Sequence, residues 1–153
     1  MSRRPARPRR TGATGPGTRS SAAEHPTGAP CPCGLPAPYG ECCGRFHIGP
    51  MTAPTAVLLM RSRYSAFVVL DESYLLKTWD PATRPSGVDL DPAMRWTGLE
   101  ILDSTEGTAF HTHGTVTFRA GYTNLGSRGA LHERSRFARH DGAWVYVDGS
   151  YLD

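Results

Sequence analysis

All four cysteines of this 153-residue chain fall in one short stretch, "CPCGLPAPYGECCGRFH", residues 31–47. A bridge between the adjacent Cys42 and Cys43 would be badly strained, and one between Cys31 and Cys33 would close a very small ring. Redox pairs favour C-x-x-C at a helix start, whereas here C-x-C is followed by eight residues and then C-C. Metal ligation fits the spacing better. Zinc takes four soft donors in a tetrahedron, with metal–sulfur distances of about 2.3 Å. A C-x-C turn can present two sulfurs, Gly34 lets the chain reverse, and the Pro/Gly-rich "GLPAPYGE" returns the second pair. The expected ligands are Cys31, Cys33, Cys42 and Cys43 around one structural zinc ion. Such a segment is too short for a core of its own, so metal binding would supply much of its folding energy. His47 is close enough to replace a sulfur, but with four thiols present a packing or exposed role is expected for it.

The 30 residues before the cluster differ in kind. They carry six Arg against Glu24, a charge of +5 within a chain total of +3, so the remainder is net −2. Rich in Pro, Gly, Ser and Thr and poor in large apolar side chains, residues 1–30 are expected to form a disordered tail. Its Arg pairs have no apolar stretch behind them, which argues against a secretion signal. A cytoplasmic location is therefore expected, where structural disulfides are disfavoured. The Arg-rich tail could touch nucleic acid through phosphate contacts, but the acidic remainder lacks a basic stripe interleaved with aromatics. No apolar run approaches the roughly 20 residues of a membrane helix.

Residues 31–49 are expected to form the zinc knuckle and residues 50–153 one α+β domain. In the latter, Thr55 can cap a helix whose Val57, Met60, Tyr64, Phe67 and Val68 recur at helical spacing. Asp71 can cap a second helix, with Tyr74 and Leu75 inward, ending before Asp80-Pro81. Four strand-like stretches follow: "RWTGLEILDS", "TAFHTHGTVTFRAGY", "GALHERSRFARHD" and "AWVYVDGSYL". "STEGT", "TNLGSRG" and "HDGA" are the turns between them. Two helices followed by four strands predict an antiparallel sheet packed on helices. In the second strand Phe110, Thr112, Val116, Phe118, Ala120 and Tyr122 share one side. In the third, alternation puts Leu131, Glu133, Ser135 and Phe137 on the core side, with His132, Arg134 and Arg136 opposite. Glu133 is then an inward carboxylate needing a partner, and Arg61 and Arg63 on the first helix are the expected cations.

"CPCGLPAPYGECCG" resembles the SEC-C motif, the zinc module at the carboxyl end of the preprotein translocase ATPase, C-P-C-G-S-G-x-x-Y-x-x-C-C/H-G. It departs only at Leu35 and Pro36, which are not ligands. "LMRSRYSAFV", "YLLKTWDP", "HERSRF" and "WVYVDG" resemble the YchJ-like family of uncharacterised bacterial proteins. That resemblance implies a nuclear-transport-factor-2-like domain, a curved sheet wrapped on helices into a cone. Some relatives carry a second SEC-C motif at the carboxyl end, which this sequence does not repeat. In the translocase ATPase the motif helps contact a partner, so the resemblance implies protein or ribonucleoprotein binding, with Tyr39, Arg45 and Phe46 as exposed contact residues. The alternative is a small-molecule or enzymatic pocket in the cone, lined by Arg61, Arg63, Tyr64, Trp79, Glu133 and Asp148. His132 is an acid–base candidate by type, but its strand parity separates it from Glu133. The chain holds no nucleophile–base motif and no phosphate-cradling glycine loop.

Overall fold

The computed structural model describes residues 7–8 and 25–152. In chain order the elements are β1 (Arg7–Pro8), a 3-10 turn (Tyr39–Glu41), α1 (Cys43–Ile48), α2 (Ala56–Val68), α3 (Glu72–Lys77), β2 (Val88–Asp89), β3 (Met94–Glu106), β4 (His113–Asn124), β5 (Ser127–His140) and β6 (Ala143–Tyr151). Strands β3 to β6 form one antiparallel sheet in sequence order, and β1 pairs separately with β2. The fold class is the expected α+β. No helix among the described residues is long and apolar enough to cross a membrane.

Both helix caps are where the sequence places them. Thr55 Oγ1 accepts from the Leu58 amide at 3.1 Å, and Asp71 Oδ1 accepts from the Tyr74 amide at 3.1 Å. Each satisfies an amide that the first helical turn leaves unpaired. Leu125-Gly126 and Asp141-Gly142 close the two later hairpins with positive φ at both central residues. That is the backbone twist a two-residue hairpin needs. Register shifts between Trp96 and Gly98, Ile101 and Asp103, and Arg136 and Phe137 bend the strands. α2 packs against the bent sheet, in contact with β3, β4 and β6.

Three expectations need correction. The second strand begins at His113, not at Thr108. Residues 108–112 loop outward and leave Phe110 94% exposed, so Phe110 and Thr112 are not core. The cause is Arg139, whose guanidinium donates to the carbonyls of His111, Ala109 and Gly142 and holds the loop open. Secondly, α2 is not one-sided. Ala56, Leu59, Ser62, Ser65 and Ala66 are buried, whereas Val57, Phe67 and Val68 are half-buried. The N-terminal knuckle covers the flank that a two-layer reading leaves to solvent. Thirdly, the supposed tail is ordered before Cys31. The Tyr39 amide donates to the Ala29 carbonyl and the Gly40 amide to the Thr27 carbonyl, so residues 25–30 belong to the knuckle. The backbone of Arg7–Pro8 pairs with Val88–Asp89. The rest of the expected tail, and with it most of the nucleic-acid expectation, lies outside the described residues.

Candidate functional site

α2 stands between two candidate sites and contributes side chains to both. On its knuckle side, two backbone features gather the cysteines. Gly34, at φ +93°, turns the chain so that its amide donates to the Cys31 carbonyl at 3.2 Å. Cys42 ends the 3-10 turn in a non-helical conformation and Cys43 begins α1, so neighbouring residues face one point. The four Sγ atoms all lie within 4.8 Å of one another and all four residues are buried. Cys33 Sγ and Cys42 Sγ are 3.7 Å apart. A tetrahedron of about 2.3 Å metal–sulfur bonds has sulfur–sulfur edges of about 3.8 Å, so the cluster fits a single ion. All four cysteines are free thiols rather than disulfides.

The thiols perturb one another. Burial, then the neighbouring Cys33 and Cys31 sulfurs, push Cys42 up to about 12. Hydrogen bonds with Cys31 and Cys33 raise Cys43, while hydrogen bonds from Cys33 and Cys43 lower Cys31. Four anionic sulfurs cannot share this space without a cation. A divalent ion would draw the protons off.

Around the sulfurs, α2 supplies a supporting layer. Ser65 Oγ lies 3.7 Å from Cys31 Sγ, and Arg61 Nη1 donates to the Cys33 carbonyl at 2.8 Å. From α1, Arg45 Nε donates to the Cys42 carbonyl at 3.0 Å. Two guanidinium groups therefore sit beside ligand backbones, where they offset the negative charge of a tetrathiolate. Arg61 is thus tied to the knuckle and does not line the cavity, contrary to the sequence expectation. Tyr39 and Phe46 are also corrections: each is only 2% exposed, so neither offers a contact surface. For Tyr39 the reason is Gly44. A Cβ there would lie 2.7 Å from the Tyr39 carbonyl oxygen and 3.0 Å from its ring, so glycine is what lets the tyrosine approach α1 this closely.

His47 completes the knuckle's attachment. The Tyr39 hydroxyl bonds His47 Nδ1 at 2.6 Å, and His47 Nε2 bonds the Ser62 carbonyl at 2.9 Å. Nε2 must donate to that carbonyl, so a neutral ring carries its proton there and accepts the tyrosine proton at Nδ1. Burial holds the His47 pKa below its ordinary value. Below about pH 6.5 the unfolded chain binds this proton more readily than the native one, so stability falls as pH drops through that value. We expect His47→Gln to flatten this dependence between pH 7 and pH 5 in urea unfolding at each pH, and to cost about 1–3 kcal/mol at pH 7 by unpairing buried groups. An unchanged pH slope would remove His47 from this role.

On the opposite side of α2, a cavity of about 310 Å³ opens between the helix and the sheet. Arg63, Tyr64, Trp79 and Glu133 line it, and Asp148 lies at its rim. Asp148 is engaged outward: Arg136 Nε and Nη2 donate to its two oxygens at 2.7 Å each, and this guanidinium holds its carboxyl below the usual range. Arg63 is 4% exposed and its Nη1 donates to the Leu75 carbonyl and to Thr78 Oγ1, both at 2.8 Å. Its guanidinium carbon lies 5.0 Å from the Trp79 ring centre and 4.7 Å from that of Tyr146. Glu133, 5% exposed, accepts from Ser135 Oγ at 3.0 Å and from the Tyr146 hydroxyl at 3.3 Å through Oε2. It lies over Gly149 on β6, where a Cβ would collide with Oε2. Burial pushes the Tyr64 phenol up to about 12, so it stays protonated. His132 is absent from this lining and pairs in register with Arg119 on the neighbouring strand.

Sequence reasoning missed Trp96, Tyr146 and Ser135 as lining residues. Ser135 was legible, since it shares the parity of Glu133. Trp96 was not, because the bulge after it breaks the alternation that would have aligned it with Leu99 and Ile101.

A family model described as YchJ, middle NTF2-like domain, matches residues 55–149. A UPF0225 protein of Streptomyces coelicolor is 67% identical over 124 residues, covering 81% of this chain and 97% of the relative. A UPF0225 protein of Corynebacterium glutamicum is 52% identical over 122 residues, covering 80% and 97%. Among solved structures, a SEC-C motif containing protein from Rhodopseudomonas palustris has a TM-score of 0.69 at 31% identity, covering 81% of this chain and 99% of that one. Another, from Psychrobacter arcticus, has a TM-score of 0.66 at 28% identity, covering 83% and 85%.

Proposed function

The chain belongs to the YchJ-like family, and from that premise we propose that it is a small-molecule-binding protein, its site the cavity beneath α2, with one structural zinc ion in the knuckle. The cavity carries this reading: about 310 Å³ is within the range of ligand sites, which combine apolar walls with a few placed polar groups. Zinc is the ion that four thiolates favour, and with four protein ligands it keeps no open position for a substrate. Its role is to hold the knuckle on α2. The reading includes binding and assigns no reaction.

A metabolite-library thermal-shift screen tests it, with Ala120→Phe as the control. Ala120 is buried and lines the cavity, so a phenyl ring there occupies the space. At least one compound is expected to raise the melting temperature of the natural chain and not that of the variant. No hit, or equal shifts in both proteins, would defeat the proposal.

The partner-binding reading keeps one supporting observation. At the end of α1, Ile48 is 80% exposed and Met51 52% exposed, beside the exposed Arg45. Affinity capture with Ile48→Asp/Met51→Asp is the comparison to make, and identical partner sets would remove this reading.

A further inference from the structure

Taking the cavity as the binding site, we infer that its ligand is an uncharged, flat, ring-containing molecule of about ten non-hydrogen atoms that carries one N–H or O–H donor. The size follows from the volume of about 310 Å³, at roughly 30 Å³ for each water-sized group. The shape follows from the walls, where Tyr64, Phe67, Trp79, Trp96, Phe118 and Tyr146 each present a ring. These rings brace one another. Trp79 meets Tyr146 edge to face at 5.1 Å and 86°, and Tyr64 meets Trp96 at 6.0 Å and 70°. A preformed aromatic box favours a rigid planar guest, which loses little freedom on entering.

Charge is disfavoured by the buried pair of opposite charges in the wall. Arg63 and Glu133 are buried and of opposite sign. Arg63 is engaged by Leu75, Thr78 and two aromatic rings, and Glu133 by Ser135 and Tyr146. At the rim, Asp148 is held by Arg136. An ionic guest would lose its hydration in a site whose two buried charges have opposite signs, so whichever sign it carries one of them opposes it, whereas a neutral guest avoids that cost. The donor requirement comes from Ser135, 1% exposed on the cavity wall. Its hydroxyl donates to Glu133 Oε2, and a hydroxyl oxygen that donates has lone pairs left to accept with. A guest N–H or O–H would find an acceptor there, already polarised by the carboxylate.

Calorimetric titration of the full chain with five compounds of similar size tests this inference: indole, phenol, toluene, benzoate and benzylamine, at pH 7. Indole and phenol are expected to bind at least about tenfold more tightly than the two ions, and Ser135→Ala to weaken phenol about fivefold while leaving toluene unchanged. Ala120→Phe abolishes binding, and Met60→Phe is a second filling variant should the first misfold, each checked by its melting curve. Equal or tighter binding of benzoate or benzylamine overturns the neutral class and leaves the cavity as the site. Phenol no tighter than toluene overturns the donor. Silence from all five overturns the ligand class, and the library screen then decides separately whether the cavity binds anything.

Discussion

Cys33→Ser protein is expected to lose stoichiometric zinc and about 3–5 kcal/mol of stability, a fall of roughly 10–20 °C in melting temperature. Cys33 is fully buried among the other three sulfurs, so no outside ligand can take its place. Without the ion the turn at Gly34 and the start of α1 have little left to hold them together, because the knuckle has scarcely any core beyond Tyr39 and Phe46. Its loss propagates to α2. Arg61 loses the Cys33 carbonyl, Ser65 loses the Cys31 sulfur, and Ser62 loses the His47 ring from its carbonyl. Hydrogen exchange should therefore rise first in residues 25–49 and next along the knuckle side of α2. A strong chelator should reproduce the shift in the natural protein and add nothing in the variant. A melting temperature unchanged by either treatment would refute the staple.

Arg63→Met should be nearly as damaging, at about 3–5 kcal/mol in urea unfolding. The methionine keeps most of the apolar stem but leaves the Leu75 carbonyl and the Thr78 hydroxyl without their buried donor, at about 1–3 kcal/mol for such a loss. The cation is also withdrawn from the faces of Trp79 and Tyr146, each contact contributing about 0.5–2 kcal/mol. It leaves the buried Glu133 in a site with less positive charge. The zinc content should be unchanged, because Arg63 projects from the cavity side of α2. A loss below about 1 kcal/mol would show that solvent or a neighbour replaces the guanidinium, and a loss of zinc would show that the two sides of α2 are not separable.

The parts that sequence made legible are those fixed by local chemistry. Cysteine spacing gave the four-sulfur cluster, Thr55 and Asp71 announced their helices, and strand alternation put Glu133 and Ser135 inside with His132 outside. What it could not supply depends on the third dimension. Arg61 and Arg63 are two residues apart, about 200° around a helix, so one serves the knuckle and the other the cavity. Reading α2 as a helix with a single buried face made both look like partners of Glu133. Tyr39 and Phe46 looked like contact residues because a short motif offers no evident core, yet Gly44 and α2 provide one. Trp96 was hidden by a bulge, and the Phe110 loop by Arg139, which acts from about 30 residues further along the chain.

Zinc K-edge X-ray absorption on the purified full chain measures the metal's neighbours directly. The fine structure should give one shell of four sulfurs at about 2.3 Å per bound ion, with the ion present in a one-to-one ratio to the chain. Substoichiometric metal, or a shell in which nitrogen or oxygen replaces two of the sulfurs, would contradict the knuckle described here.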